Sequence, residues 1–189
     1  MENLTQQIPG LAEAIEAEQH VRDTSFLELP ECVGGFDLKP LTLRHILLLN
    51  SIGNKFVTGG HPTSIDIGVF MCVAGEWTGA KKFFMLRRLG RKNPEKISNE
   101  IVELLKETFQ DAPATSGTSA SVSYYSFAAQ IVDLFGKEYG WTDGQTLGVP
   151  LKRLFQYIKP IAVRNSNATL FNPSDKVRGE WLRAVNSSN

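Results

Sequence analysis

Histidine and cysteine are the residue types of this chain that could most readily bind a metal ion or act in catalysis. Cys32 and Cys72 lie far apart, and neither has a second cysteine or a histidine at the spacing of a zinc site. His20, His45 and His61 form no His-x-x-x-His or His-Glu-x-x-His pair. We therefore predict no catalytic residue, no metal site and no cofactor. We interpret both cysteines as reduced thiols of an intracellular protein, with a disulfide between them as the alternative.

Two of the histidines differ in their setting. His45 lies in the stretch LKPLTLRHILLL, where a helix with Thr42 as its N-cap would surround it with leucines, so we interpret it as structural. His61 lies in a glycine-proline loop, where functional residues are common, but no partner acid or cysteine is evident. The sequence also lacks a P-loop and a Gly-x-Ser-x-Gly motif. We accordingly predict that the protein is not an enzyme.

Charge is unevenly distributed along a chain whose net charge is zero. Residues 1–31 carry seven acidic residues and one basic residue, whereas residues 81–96 carry seven basic residues and one acidic residue. Such asymmetry fits a nucleic-acid face, an acidic segment that binds a basic surface of its own chain or of a neighbour, or solvated helix faces. The predicted basic face consists of six side chains: Lys81, Lys82, Arg87, Arg88, Arg91 and Lys92.

Nucleic acid is the less favoured partner for this basic run. Phe83 and Phe84 would offer stacking platforms only if they were exposed. Their spacing relative to Leu86 and Leu89 predicts instead that they point into the core. A DNA-binding helix-turn-helix over residues 128–158 is also disfavoured, because its second helix carries an apolar stripe that suits a core helix better.

Turn and capping signals predict a mainly α, single-domain helical bundle of about six to eight helices with a small N-terminal β-hairpin. The pair Gly34-Gly35 would form the hairpin turn, because glycine readily adopts positive φ. Thr42, Thr63 and Asn93 each stand where an N-cap is needed. The most regular helix follows Asn93 and carries its apolar and inward residues at Ile97, Ile101, Leu104, Leu105 and Thr108.

Composition also predicts how the chain is divided. We predict that residues 1–25 form an acidic, loosely docked helical arm with a thin apolar stripe. Residues 26–189 are predicted to form the helical domain. Small and polar residues at about 110–122 predict a mobile linker. We expect Pro160 to end the helix that begins at Pro150, since proline lacks the backbone N–H of a helix interior. We find neither a secretory signal nor an apolar run that would span a membrane.

Two stretches resemble segments of tail assembly proteins of tailed bacteriophages. GFDLKPLTLRHILLLNSIGNKFVTGG, residues 35–60, contains a Leu-x-Pro-Leu-Thr-Leu pattern followed by a helix. YGWTDGQTLGVPLKRLFQYI, residues 139–158, is similar to the aromatic-Trp, short-turn, Pro-Leu-x-x-Leu segment of phage tail assembly chaperones. The closing NPSDKVRGEWLRAVN, residues 172–186, is also phage-like. These are apolar and turn patterns, and none of them is a catalytic signature.

The resemblance implies a non-enzymatic phage morphogenesis protein. We expect a tail assembly chaperone that holds the tape-measure protein through apolar grooves between helices, and that self-associates. The side chains assigned to partner binding are Phe56, Trp77, Trp141 and Trp181, with a core position as the alternative for each tryptophan. One alternative function is a virion structural component, joined to neighbouring subunits by its acidic arm and basic faces. Another is nucleic-acid binding through the basic helix at 81–96.

The expected partners and location follow from the same resemblance. Phage tail or other virion proteins are the expected partners, nucleic acid is not favoured, and no membrane is involved. The expected location is the host cytoplasm, or the virion if the protein is structural.

Overall fold

The computed structural model describes residues 29–112 and 127–166, together with Ala17, His20, Thr24, Phe26 and Leu27. Within these residues a two-stranded antiparallel hairpin precedes eight helices, so the predicted helical fold with a small N-terminal hairpin is confirmed. The strands are β1 (Glu31–Val33) and β2 (Phe36–Leu38). The helices are α1 (Leu43–Ser51), α2 (Lys55–Thr58), α3 (Ser64–Ala74), α4 (Gly79–Leu89), α5 (Pro94–Phe109), α6 (Phe127–Tyr139), α7 (Asp143–Gly148) and α8 (Leu151–Ser166).

The chain is divided into two compact units. Glu28–Tyr157 forms one unit, which holds both strands, α1 to α7 and the start of α8. Met1–Leu27 and Ile158–Asn189 form the other. Nearly all of the predicted acidic arm, most of the predicted linker, and Trp181 with its surrounding segment lie outside the described residues. The predicted domain boundaries therefore stay predictions.

The hairpin packs one face of two short strands onto the core. Val33 pairs with Phe36 across the turn, and both side chains are buried. Gly34 and Gly35 have φ angles of 60° and 75°, so the predicted glycine turn is confirmed. Gly34 is also held close to α5, since a Cβ there would lie 2.1 Å from Cδ1 of Ile97.

Helix α3 is the centre of the larger unit and contacts α1, α2, α4 and α5. It begins at the predicted capping box, in which Thr63 and Asp66 each bond the other's backbone N–H. Helix α5 begins at the predicted cap Asn93. The core around α3 is formed by side chains from the hairpin, from α1, α3, α4 and α5, and from the links before α1 and after α3: Val33, Phe36, Leu38, Leu41, Leu49, Ile67, Phe70, Met71, Ala74, Trp77, Leu89, Ile97, Ile101 and Leu104.

Helix α8 ends later in the chain than the sequence predicted. It continues through Pro160 to Ser166, so the prediction that Pro160 ends this helix is wrong. An interior proline costs a helix about 3 kcal/mol or more. The buried stripe of this helix runs past the proline, from Leu154 to Ile161. Each fully buried aliphatic side chain contributes about 1.5–3 kcal/mol, which offsets the local cost.

Two short helices were not predicted. Helix α2 lies within a segment interpreted as a loop, and the side chain of Asn54 caps it by accepting from the N–H of Phe56. Helix α7 begins at Thr142, which forms a capping box with Gln145. Both helices are marked in the sequence only by polar side chains at the first turn, a weaker signal than apolar periodicity.

Candidate functional site

The candidate site is an open groove of about 630 Å³ between α1, α6 and α7. Leu47 of α1, Val132 of α6 and Leu147 of α7 supply its aliphatic surface, and Trp141 contributes an aromatic ring from the link between α6 and α7. The residues that complete the lining are small or charged: Ala128, Ala129, Asp133, Gly136, Lys137 and Asp143. We call this surface the groove below.

Helix α1 supplies one wall of the groove because one of its sides is left uncovered. The sequence predicted that leucines surround His45 on a core helix. Leu49 is buried, but Leu47 and Leu48 are 38% and 48% exposed, so these two leucines do not enter the core. The covered side of this nine-residue helix carries Leu43 and His45 in addition to Leu49. The opposite side is left for solvent or for a partner.

Trp141 is held rigidly at the groove by other aromatic rings. Its indole stacks on Phe135 with ring centroids 5.1 Å apart and meets the ring of Tyr157 edge-on at 5.6 Å. The side chain is half-buried, so part of it remains open towards the groove. Tryptophan fixed in this way is the type of residue that dominates binding energy at protein interfaces.

The structure does not bring together the three predicted partner-binding residues that it describes. Trp77 is 3% exposed and packs against Phe36 at 5.4 Å, so its ring is enclosed in the core. Phe56 is half-buried and meets Phe70 edge-on at 5.6 Å, at the border of that core. Trp181 lies outside the described residues. Trp141 is the member of the set that lines the groove.

His45 has two structural partners. Its Nδ1 accepts a 3.4 Å hydrogen bond from the N–H of Thr42 and completes the capping box of α1. Its Nε2 lies 3.5 Å from Oε1 of Glu76, and that carboxylate also binds Nζ of Lys39. Burial lowers the pKa of His45, although Glu76 opposes this shift, and the hydrogen bond from Lys39 lowers the pKa of Glu76. The imidazole therefore ties the start of α1 to the link between α3 and α4.

Cys72 is poorly placed for nucleophilic chemistry. Cys32 and Cys72 are both free thiols. Burial raises the pKa of Cys72, which disfavours the thiolate that such chemistry requires. Within residues 29–112 and 127–166, no group of three His, Cys, Asp or Glu side chains is placed to hold a metal ion.

An acidic groove of about 540 Å³ lies along β1 and α5. Several of its carboxylates have partners within the protein. Nζ of Lys152 lies 2.8 Å from Oε1 of Glu31 and 3.7 Å from Oε2 of Glu107, and Glu100 accepts from the N–H of Gly34. These contacts fasten the hairpin to α5 and α8, so Glu31, Glu100 and Glu107 each have a structural role.

Helix α4 exposes its aromatic residues as well as its bases. Phe83 and Phe84 are 64% and 65% exposed, so the prediction that they point into the core is wrong. The core side of α4 is formed by Leu86 and Leu89, and Leu86 packs close to Gly68 of α3. Since Phe83 and Phe84 lie on the opposite side, their rings contact each other edge-to-face at 5.9 Å.

The six predicted bases of this region are all exposed. None of them has a carboxylate within 4 Å among the residues the structure describes. Arg88 places its guanidinium 5.0 Å from the ring centroid of Phe36, a cation–π contact. The helix therefore presents two phenyl rings beside cations that form no ion pair within the part of the chain that the structure describes.

In comparisons with known proteins, no family model, no curated protein and no solved structure matches this chain. The phage resemblance therefore rests on the sequence patterns alone. In the part of the chain that the structure describes, the helices are too short or too polar to cross a bilayer.

Proposed function

We propose that this chain is a non-enzymatic assembly protein that holds an apolar helical segment of a partner in the groove. The observation that carries the proposal is the groove itself, an open surface between helices that combines three aliphatic side chains with Trp141 as an aromatic anchor. Partner helices bind such grooves by placing apolar residues at positions i, i+3 or i+4, and i+7. Asp133, Lys137 and Asp143 at its edge would fix the orientation of the bound helix.

The proposed class of assembly protein is a phage tail assembly chaperone, with the tape-measure protein as its partner. The position of the groove residues in the sequence supports this choice. Leu47 lies in stretch 35–60, and Trp141 and Leu147 lie in stretch 139–158, the two stretches that resemble phage tail assembly proteins. These stretches are distant in sequence, yet both line the groove. An aggregation-prone partner with exposed apolar helices requires a surface of this kind.

Co-expression tests this function. A tape-measure protein that aggregates when expressed alone should remain in the soluble fraction when this chain is co-expressed, and should co-purify with it. A soluble fraction that does not change would contradict the proposal. Recovery of the chain in stoichiometric amounts from purified virions would instead favour the alternative role as a virion structural component.

A further inference from the structure

We propose that the outward side of α4 binds single-stranded nucleic acid, a function that goes beyond partner binding in the groove. We call this surface the α4 face and define it by Phe83, Phe84, Arg87, Arg88, Arg91 and Lys92. Residues four apart on a helix lie on the same side, so a ring and a cation follow each other in two parallel rows. One row is Phe83–Arg87 and the other is Phe84–Arg88, and Arg91 and Lys92 follow in the turn that closes α4.

The rings of the α4 face are available for stacking. More than half of each phenyl side chain is exposed, and their edge-to-face contact at 5.9 Å leaves part of each ring uncovered. Nucleotide bases of any sequence stack on such rings, and each stacked base contributes about fivefold or more to affinity. Two exposed rings side by side therefore provide a platform that does not depend on base identity.

The cations of the α4 face are available for phosphate. No carboxylate lies within 4 Å of them among the described residues, so phosphate would not have to displace an ion pair with any of those residues. Three of the four are arginines, whose guanidinium groups bind phosphate through paired hydrogen bonds. Release of counterions from the nucleic acid then favours binding at low salt.

The arrangement favours nucleic acid over a membrane surface. A helix that lies in a bilayer interface separates an apolar side from a charged side. On α4 the apolar side already packs on α3 through Leu86, whereas rings and cations share the outward side. Alternation of rings and cations on one side suits a strand that carries a base and a phosphate in every repeat.

The experiment titrates the full chain into a fluorescently labelled oligothymidylate of about 20 nucleotides, which exceeds a typical single-strand site of about 4–16 nucleotides. Anisotropy gives the Kd over a series of salt concentrations. We expect log affinity to fall with log salt, with a slope of about −0.7 for each phosphate contacted. The variant R87Q/R91Q should bind more weakly and reduce that slope by about 1.4.

Substitution of the rings separates stacking from charge. The variant F83L/F84L keeps apolar side chains but removes the π-faces, so its affinity should fall at least about fivefold with an unchanged salt slope. F83Y/F84Y should keep wild-type affinity. K106Q removes an exposed cation from α5 and should change affinity less than about twofold, because Lys106 already pairs with Glu103. Circular dichroism verifies that each variant is folded.

Three results would overturn the proposal. One is an absence of oligothymidylate binding at low salt. If the protein bound phosphatidylserine vesicles but not oligothymidylate, the α4 face would be a membrane surface instead. Another is binding that R87Q/R91Q leaves unchanged. The third is wild-type affinity in F83L/F84L, which would show that the rings do not stack on bases.

Discussion

The backbone N–H of Leu151 donates a 2.8 Å hydrogen bond to the carbonyl oxygen of Leu41, and a β-bridge between Thr42 and Pro150 lies beside it. This contact joins the start of α8 to the segment that precedes α1. The joined segments belong to stretches 35–60 and 139–158, which carry the phage resemblance. The resemblance and the groove therefore concern the same part of the molecule.

The buried imidazole of His45 should make stability depend on pH near neutrality. Its pKa in the folded protein lies below the ordinary value of 6.5, so the unfolded chain binds a proton more readily. Stability should then fall as pH decreases through about 6.5, and the decrease should stop below the folded pKa. Urea unfolding at pH 7.5, 6.5 and 5.5 measures this change.

Two variants isolate the contribution of His45. H45Q keeps a side-chain acceptor for the N–H of Thr42 but cannot be protonated, so its unfolding free energy should change less over this range. T42A loses the N-cap and about 1 kcal/mol, but should keep the wild-type pH dependence. Identical pH profiles for wild type and H45Q would contradict the assignment. The lowered pKa of Glu76 acts at more acidic pH and lies outside this range.

Gly75 should be required next to the core tryptophan. A Cβ on Gly75 would lie 2.2 Å from Nε1 of Trp77, a ring that is enclosed in the core and cannot move outward without losing its contact with Phe36. We expect G75A to lose about 1–3 kcal/mol of unfolding free energy. The matched control is G144A in α7, where the added methyl meets open space and should stabilise by about 0.5–1 kcal/mol. Equal stability of G75A and wild type would contradict this packing.

The ion pair between Glu31 and Lys152 should stabilise the fold more than an exposed pair does. Both side chains are largely covered and their charged atoms are 2.8 Å apart. A double-mutant cycle with E31Q and K152M should give a coupling free energy of about 1 kcal/mol. The same cycle with E103Q and K106M, at the exposed pair Glu103–Lys106, should give about 0.3 kcal/mol. Equal coupling at the two pairs would show that burial does not strengthen this contact.

Local signals in the sequence were sufficient for the elements that depend on neighbouring residues. The caps at Thr42, Thr63 and Asn93 each act within one helical turn, so the residue type reports the structure directly. The turn at Gly34 and Gly35 was predictable for the same reason, because its positive φ angles select glycine.

Features that depend on distant residues could not be predicted in this way. Phe83 and Phe84 share a helix with Leu86 and Leu89, and spacing alone does not decide which apolar pair faces α3. Proline usually ends a helix, so the sequence predicted a helix end at Pro160. The burial of the α8 stripe, which offsets the cost of the proline, is a tertiary effect that the local sequence does not report. The groove arises where α1 meets α7, more than ninety positions later in the sequence, so no local pattern could report it.

The affinity of the purified chain for a tape-measure segment, compared between L47E and L48E, tests the proposed function most directly. Both leucines are exposed neighbours on α1, but Leu47 lines the groove and Leu48 does not. The proposal predicts that L47E weakens binding at least about tenfold, which corresponds to about 1.4 kcal/mol, while L48E binds like wild type. Wild-type affinity in L47E, or equal losses in both variants, would contradict the assignment of the groove as the binding site.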